Sequence, residues 1–200
     1  MFYSKVLKRF FDLILAVLAF PFLCFIILLA FPFIYFSDKG SIFYISNRIG
    51  QRGKIFKMLK LRTMFINSPD IRLQDGSTFN SEDDPRLTNI GKILRKTSID
   101  ELPQIINVII GNMSFIGPRP DPEDHLEKYT DKEREFLKVK PGISGYSQAY
   151  FRNSVNGATK LKNDIYYAKN ISFLFDFKIF LKTFHTVIYR KNLYVDKSIK

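Results

Sequence analysis

The sequence predicts an α+β fold that is predominantly helical, with an N-terminal re-entrant membrane helix, amphipathic interfacial helices, a small β-hairpin and a compact domain behind them. Three observations carry this. Residues Leu13 to Phe36 form an unbroken apolar run, two short β-prone stretches flank a glycine-bearing turn, and apolar residues elsewhere recur three and four positions apart. Of the 200 residues, 1–36 form the membrane segment and 37–200 remain for one domain with room for a real core.

About 24 apolar residues at 1.5 Å each reach roughly 36 Å, slightly more than a ~30 Å hydrocarbon core. Lys5, Lys8 and Arg9 precede the run, and Lys39, Arg48, Arg52, Lys54, Lys57, Lys60 and Arg62 follow it. Basic clusters favour the cytoplasmic side, so a simple span would send one group the wrong way. A helix that breaks at Pro21 and returns keeps both inside, and an ordinary kinked span is the alternative. The proline costs ~3 kcal/mol, less than the summed partitioning of Leu, Ile, Phe and Val, so it sets shape and not location. Leu29-Ala30-Phe31-Pro32 offers no small-x-small cleavage site, which argues against a signal peptide.

Ser41–Ser46 and Lys54–Leu59, separated by Gly50 and Gly53, read as a hairpin. Asn67 to Pro85 is rich in Asp, Ser, Asn and Gly and reads as surface loop. Leu87, Ile90, Ile93 and Leu94, beside Arg86, Lys92, Arg95 and Lys96, predict a short helix with a cationic face. Ile105 to Ile110 continues helically to a stop at Gly111-Asn112. Gly117-Pro118-Arg119-Pro120 is expected as an ordered extended connector, because prolines fix φ and forbid helix. Asp124 to Val139 reads as an exposed charged helix, and Lys140 to Asn156 as loop. Phe173, Phe177, Phe180, Phe184 and Ile188, with Lys178 and Lys182 between, predict a helix that is either core or interfacial, ending at Arg190-Lys191.

A formal charge of +12 and a pI near 9.7 point to an anionic partner: lipid headgroups, nucleic acid or a phosphorylated substrate. The single cysteine, Cys24, lies inside the apolar run, which disfavours disulfides, thiolate-metal sites and a thiol nucleophile. His125 and His185 are too far apart for zinc spacing. A metal would be held by carboxylates and substrate phosphates, which suits Mg²⁺.

The carboxylates that stand out are Asp100 and Glu101, which follow Arg95, Lys96 and Ser98. Ser98 and Glu101 match a capping box, worth ~1 kcal/mol, while Pro103 suggests a helix starting near Leu102. Either register sets the pair at a helix N-terminus beside cations, where the ionised form is expected to be favoured. Such an Asp can serve as a covalent nucleophile for phosphorus and its neighbour as a Mg²⁺ ligand; the alternative is a cap with a salt bridge. Arg62, Arg95, Arg119 and Arg152 are candidates to hold diphosphate oxygens, though each taken singly also reads as a solvated charge. Arg119 is the best placed, being held between two prolines.

Taken together, Lys60-Leu-Arg-Thr-Met64, Asp84-Pro-Arg-Leu-Thr88, Leu94-Arg-Lys-Thr-Ser-Ile-Asp-Glu-Leu-Pro-Gln104, Gly111-Asn-Met-Ser-Phe-Ile-Gly-Pro-Arg-Pro120, Lys140-Pro-Gly-Ile-Ser-Gly145 and Asp164-Ile-Tyr-Tyr-Ala168 resemble the bacterial sugar transferase family, and in particular its small monotopic phosphoglycosyl transferases. The resemblance implies transfer of a sugar phosphate from a UDP-sugar to polyprenyl (undecaprenyl) phosphate, with release of UMP and ping-pong kinetics. It implies that Asp100 attacks the β-phosphorus, that Glu101 lies beside it at Mg²⁺, and that Arg95 helps grip phosphate. Lys60 and Arg62 of the first motif, Arg152, and Pro118, Arg119 and Pro120 would bind substrate. It further implies a monotopic protein of the bacterial inner membrane with its catalytic domain on the cytosolic face, handing product to downstream membrane glycosyltransferases and binding no nucleic acid. The family's membrane helix breaks at a Ser-Pro pair, where this chain has Phe20-Pro21 and a second proline, Pro32. Two other readings remain open: a non-enzymatic basic module for membrane surfaces, and a metal-dependent hydrolase of lipid diphosphates.

Overall fold

In the computed structural model, which describes residues 3–71, 79, 81, 83–152 and 154–189, the apolar run forms one helix, α1 (Lys8–Asp38), entered through a π-turn at Tyr3–Leu7. The helical backbone continues without a gap through Pro21 and Pro32. Its buried positions are Asp12, Ala16, Leu23, Ala30 and Ile34, spaced by four and seven residues and therefore on one stripe. Val17, Leu18, Phe22, Phe25, Leu28 and Phe33 stand exposed on the rest of the surface.

The hairpin of β1 (Phe43–Ile49) and β2 (Ile55–Leu61), paired antiparallel with Phe43 opposite Leu61 and Ile49 opposite Ile55, shares its core with the buried stripe of α1. Arg52 and Gly53 take positive φ in the turn between them. Ala16 and Leu23 join Phe56, Met58, Ile105, Val108 and Met113 in one core, and Ala30 and Ile34 join Leu61 and Leu94 in a second. Burial of Leu23 and Ile34 is worth about 1.5–3 kcal/mol each. Phe56, Met58 and Lys60 share one strand face by two-residue alternation, so the strand that fills the core also delivers Lys60.

Beyond the loop that follows β2 come α2 (Asn89–Thr97) and α3 (Gln104–Ile110), which ends at Gly111 with φ 101°. Asn107 of α3 is fully buried; its Oδ1 accepts from the Leu59 N–H at 3.0 Å and its Nδ2 donates to the Lys57 carbonyl at 2.8 Å. This side chain satisfies the open edge of β2 and fixes α3 against it. The expected connector is present, preceded by β3 (Ser114–Ile116), which pairs in parallel with β4 (Gly142–Ser144). The approach is close enough that a Cβ on Gly142 would lie 2.1 Å from the Gly117 nitrogen.

Two expectations fail in this region. The charged segment 124–139 is not one helix but two 3₁₀ turns, Glu123–Lys128 and Glu133–Lys138, divided where Thr130 donates both its N–H and its hydroxyl to Glu133. The second turn also buries Phe136 and Leu137. The segment read as loop from Lys140 to Asn156 holds β4 and a short helix, α4 (Tyr146–Tyr150); Asn153 lies outside the described residues.

The chain closes with α5 (Gly157–Lys169), capped by Asn156, and α6 (Phe173–Ile188), capped by Ser172. Of the row read from the sequence, Phe173, Phe177, Phe184 and Ile188 are exposed on α6, with Leu181 beside them, whereas Phe180 is half-buried against the core of Ile116, Ala149, Tyr167 and Ile179. The row is therefore largely exposed, with one member turned to the core. Arg190 and Lys191 lie outside the described residues.

Candidate active site

Thr88 caps α2 by accepting from the Gly91 N–H, and the helix runs to Ser98, which adopts a left-handed conformation at φ 59° and ψ 18°. Ser98 closes α2 with its own N–H on the Leu94 and Arg95 carbonyls, so the capping box does not form. Its hydroxyl instead accepts from Arg152 Nη2 at 3.1 Å. A 3₁₀ turn, Ile99–Glu101, follows, and Pro103 precedes the first residue of α3 in the position that suits a missing N–H. The acidic pair therefore occupies a rigid corner between two helices.

Glu101 Oε1 accepts from Lys60 Nζ at 2.7 Å and from Arg119 Nη2 at 2.8 Å, and Oε2 faces Arg119 Nη1 at 3.5 Å. Burial works against charge on Glu101, yet Arg119 and Lys60 outweigh it and hold this carboxyl well below the usual carboxylate range. Its neighbour behaves oppositely. Asp100 is 7% exposed, and burial pushes its carboxyl up to about 6 against Lys60, Arg95 and Arg119, with the charge of Glu101 adding to the rise. The sequence expectation that both carboxyls would favour the ionised form thus holds for Glu101 and not for Asp100. Among the described residues the Asp100 carboxylate accepts no hydrogen bond, while Arg95 is braced by Nε on Thr63 Oγ1 at 3.0 Å. Arg119 keeps 43% of its side chain exposed, so donors beyond those on Glu101 remain accessible to a ligand.

Sequence reasoning brought Lys60, Arg95, Arg119, Asp100 and Glu101 together, and these five do converge. Pro118 and Pro120 are buried on either side of Arg119. Arg152 reaches the corner through Ser98, two residues from Asp100. Arg62 is directed elsewhere: it pairs with Asp38, donates Nη2 to the Ile34 carbonyl at 3.1 Å and Nε to the Ser41 carbonyl, and is 8% exposed. It is not among the charges acting on Asp100. Sequence reasoning missed Thr63, which sits inside the Lys60–Met64 motif, and Asn107, for which no local pattern gives a signal.

No group of three or more His, Cys, Asp or Glu side chains converges among the described residues. Mg²⁺ needs no such group, since it binds through one or two carboxylates with substrate phosphates and water completing the octahedron. Asp100 and Glu101 fit that minimal donor set.

Among the described residues, then, a buried carboxylate that accepts no hydrogen bond lies in the field of three cations, beside a second carboxylate that stays ionised, on a domain fastened to an apolar helix. The chain belongs to the bacterial sugar transferase family, whose family model matches residues 3–190. It is 41% identical over 198 residues to an exopolysaccharide production protein, ExoY, of Sinorhizobium fredii, covering 94% of this chain and 88% of that one. It is 35% identical over 207 residues to an undecaprenyl-phosphate galactose phosphotransferase of Salmonella typhimurium, and 36% identical over 189 residues to a UDP-N-acetylgalactosamine-undecaprenyl-phosphate N-acetylgalactosaminephosphotransferase of Aeromonas hydrophila. Those matches cover 96% and 91% of this chain but only 42% and 44% of the two longer proteins.

Proposed function

We propose that the chain moves a sugar 1-phosphate from a UDP-sugar to undecaprenyl (polyprenyl) phosphate and releases UMP. The observation that carries this reading is Asp100: shielded, accepting no hydrogen bond among the described residues, and in the field of Lys60, Arg95 and Arg119. The names of the Salmonella and Aeromonas relatives support the donor and acceptor classes.

An Asp100 oxygen attacks the β-phosphorus of the donor, and the bond from that phosphorus to the bridging oxygen breaks, so UMP leaves with the electron pair. An oxygen of the lipid phosphate then attacks the same phosphorus, breaks the aspartyl bond and regenerates the carboxylate. Lys60, Arg95 and Arg119 face the negative charge that develops on phosphoryl oxygens, where a water-poor site strengthens their effect. Glu101 holds Lys60 and Arg119 in place. Asp100 and Glu101 would hold Mg²⁺, which neutralises diphosphate charge when bound.

The acceptor is confined to a bilayer, and the donor is soluble. A site at the headgroup plane serves both, and the exposed faces of α1 and α6 are the surfaces to reach it. We place residues 1–36 in the cytoplasmic leaflet of the inner membrane, entering and leaving on the side of the catalytic domain, 37–200, on the cytosolic face; the break expected at Pro21 is not seen in α1, which stays helical through that residue. Both ends of α1 are bonded to that one domain, which supports a same-side return.

The test is trapping. Incubation with a UDP-sugar labelled in the β-phosphate, with Mg²⁺ and no lipid, is expected to leave a phosphosugar on Asp100 and release one equivalent of UMP. Continuous UMP release without lipid would instead indicate the lipid-diphosphate hydrolase type of reaction, and salt-sensitive vesicle binding with no turnover the non-enzymatic module.

A further inference from the structure

The motif from Asp164 to Ala168 takes no part in the site just described, yet it leads to the other side of Arg119. Pro118-Arg119-Pro120 has lost two of its three backbone N–H donors, so the segment is fixed through its carbonyls and side chains. The Pro118 carbonyl accepts from the Gly142 N–H at 2.9 Å and the Asp121 carbonyl from the Ile49 N–H at 2.9 Å. Between them, the Arg119 carbonyl faces Lys160 Nζ of α5 at 3.5 Å. The same ammonium lies 2.8 Å from both carboxylate oxygens of Asp121, whose Oδ2 also accepts from the Tyr129 hydroxyl at 2.6 Å.

Behind Lys160, one turn further along α5, stands Asp164, with no exposed surface. Its Oδ2 is 3.2 Å from Lys160 Nζ, and neither oxygen has a hydrogen bond of good geometry among the described residues. A buried carboxylate so poorly bonded depends on its counter-charge. Asp121 draws the ammonium forward and Asp164 draws it back, which leaves Lys160 little freedom. A chain of contacts thus runs from α5 through Lys160, by its ion pair with Asp121 and a long hydrogen bond to the Arg119 carbonyl, to the backbone of Arg119, and by an ion pair from the Arg119 guanidinium to Glu101.

We propose that Lys160 is the positioning residue for Arg119: by fixing the backbone between the two prolines it aims the guanidinium at Glu101 and at the donor diphosphate. This role rests on the transferase reading. A structural prop with no such aim would lower the amount of folded protein and leave the turnover of what remains unchanged.

The experiment is a double-mutant cycle on UMP release from a panel of UDP-galactose, UDP-glucose and their N-acetyl forms, with undecaprenyl phosphate as acceptor. Wild type, Lys160→Met, Arg119→Ala and the double variant are compared at equal folded concentration. Because loss of the ammonium orphans two carboxylates, Lys160→Met/Asp164→Asn is carried in parallel as the version that relieves one of them. Lys160→Met is expected to lower kcat/KM for the donor about tenfold or more, and to have less than about a twofold effect when Arg119 is already Ala. Equal losses in both backgrounds, or a Lys160 variant that matches wild type while Arg119→Ala is impaired, would overturn the positioning role and leave the transferase reading standing. Wild-type protein inactive on every donor would count against both.

Discussion

Asp100 and Glu101 are neighbours in sequence with opposite proton affinities, because their side chains meet different surroundings. Glu101 takes the two cations directly, whereas Asp100 receives their field without their hydrogen bonds. A carboxylate kept this way is reactive at a cost to stability. The sign follows from linkage: a carboxyl raised from 3.8 to about 6 in the folded state binds its proton more tightly there, so folding loses stability as pH rises between those values. Asp100→Asn in the presence of EDTA is therefore expected to melt no lower than wild type at pH 7.5. Its advantage, up to roughly 3 kcal/mol, should shrink towards pH 4. The same variant should lose transfer by about a thousandfold or more. Thermal melts across pH with a parallel UMP assay check both halves, and a variant that is less stable at pH 7.5 would contradict the reading of Asp100 as a strained nucleophile. The pair was legible in sequence because two acids stand out in a basic chain. Their divergence was not, since it depends on Lys60 and Arg119 arriving from distant segments.

Elements with a strong period or clear punctuation were the readable ones. The apolar run, the hairpin around Gly50 and Gly53, the helix with the cationic face before Ser98 and the helix ending at Gly111 all follow from local chemistry, whereas Ser98 itself, read as a cap for the next helix, closes the preceding one. The three-residue strand β3 did not show, because its identity depends on β4, which lies beyond the two 3₁₀ turns. Lys60 and Arg62 illustrate the same limit at the end of β2. Two-residue alternation assigns them to one face, but the strand stops at Leu61, and Arg62 turns to the C-terminal end of α1 while Lys60 stays with Glu101. Arg62→Met is accordingly expected to destabilise the protein by roughly 1–3 kcal/mol, the cost of leaving the partly buried Asp38 carboxylate and the Ile34 and Ser41 carbonyls without their donor. The donor KM of the folded fraction should stay within about twofold. Chemical denaturation and steady-state kinetics separate the outcomes: a large rise in KM with stability unchanged would return Arg62 to phosphate binding.

Across the whole molecule, α1 is tied down at both ends by polar bonds to the same domain. Near its start, Lys8 pairs with Asp176 of α6 at 2.6 Å, Arg9 donates to the Val108 and Ile109 carbonyls at the end of α3, and Asp12 accepts from Ser114 and from the Phe115 N–H at 3.0 Å. Near its end, Asp38 pairs with Arg62. A helix crossing the bilayer would carry one of these ends through ~30 Å of hydrocarbon, away from any cytosolic partner. On the membrane placement proposed above, both sets of bonds leave the exposed face of α1 to enter one leaflet, and the exposed row on α6 would supply a second apolar contact at headgroup depth. Because Cys24 is the sole cysteine, Cys24→Ser permits single-cysteine labelling. In Phe2→Cys and Ser41→Cys versions of that background, a membrane-impermeant maleimide is expected to label both positions from the cytosolic side of sealed vesicles and neither from the opposite side. Labelling of residue 2 from the far side, with residue 41 still cytosolic, would require the Lys8, Arg9 and Asp12 bonds to be broken in the membrane and would establish a spanning helix.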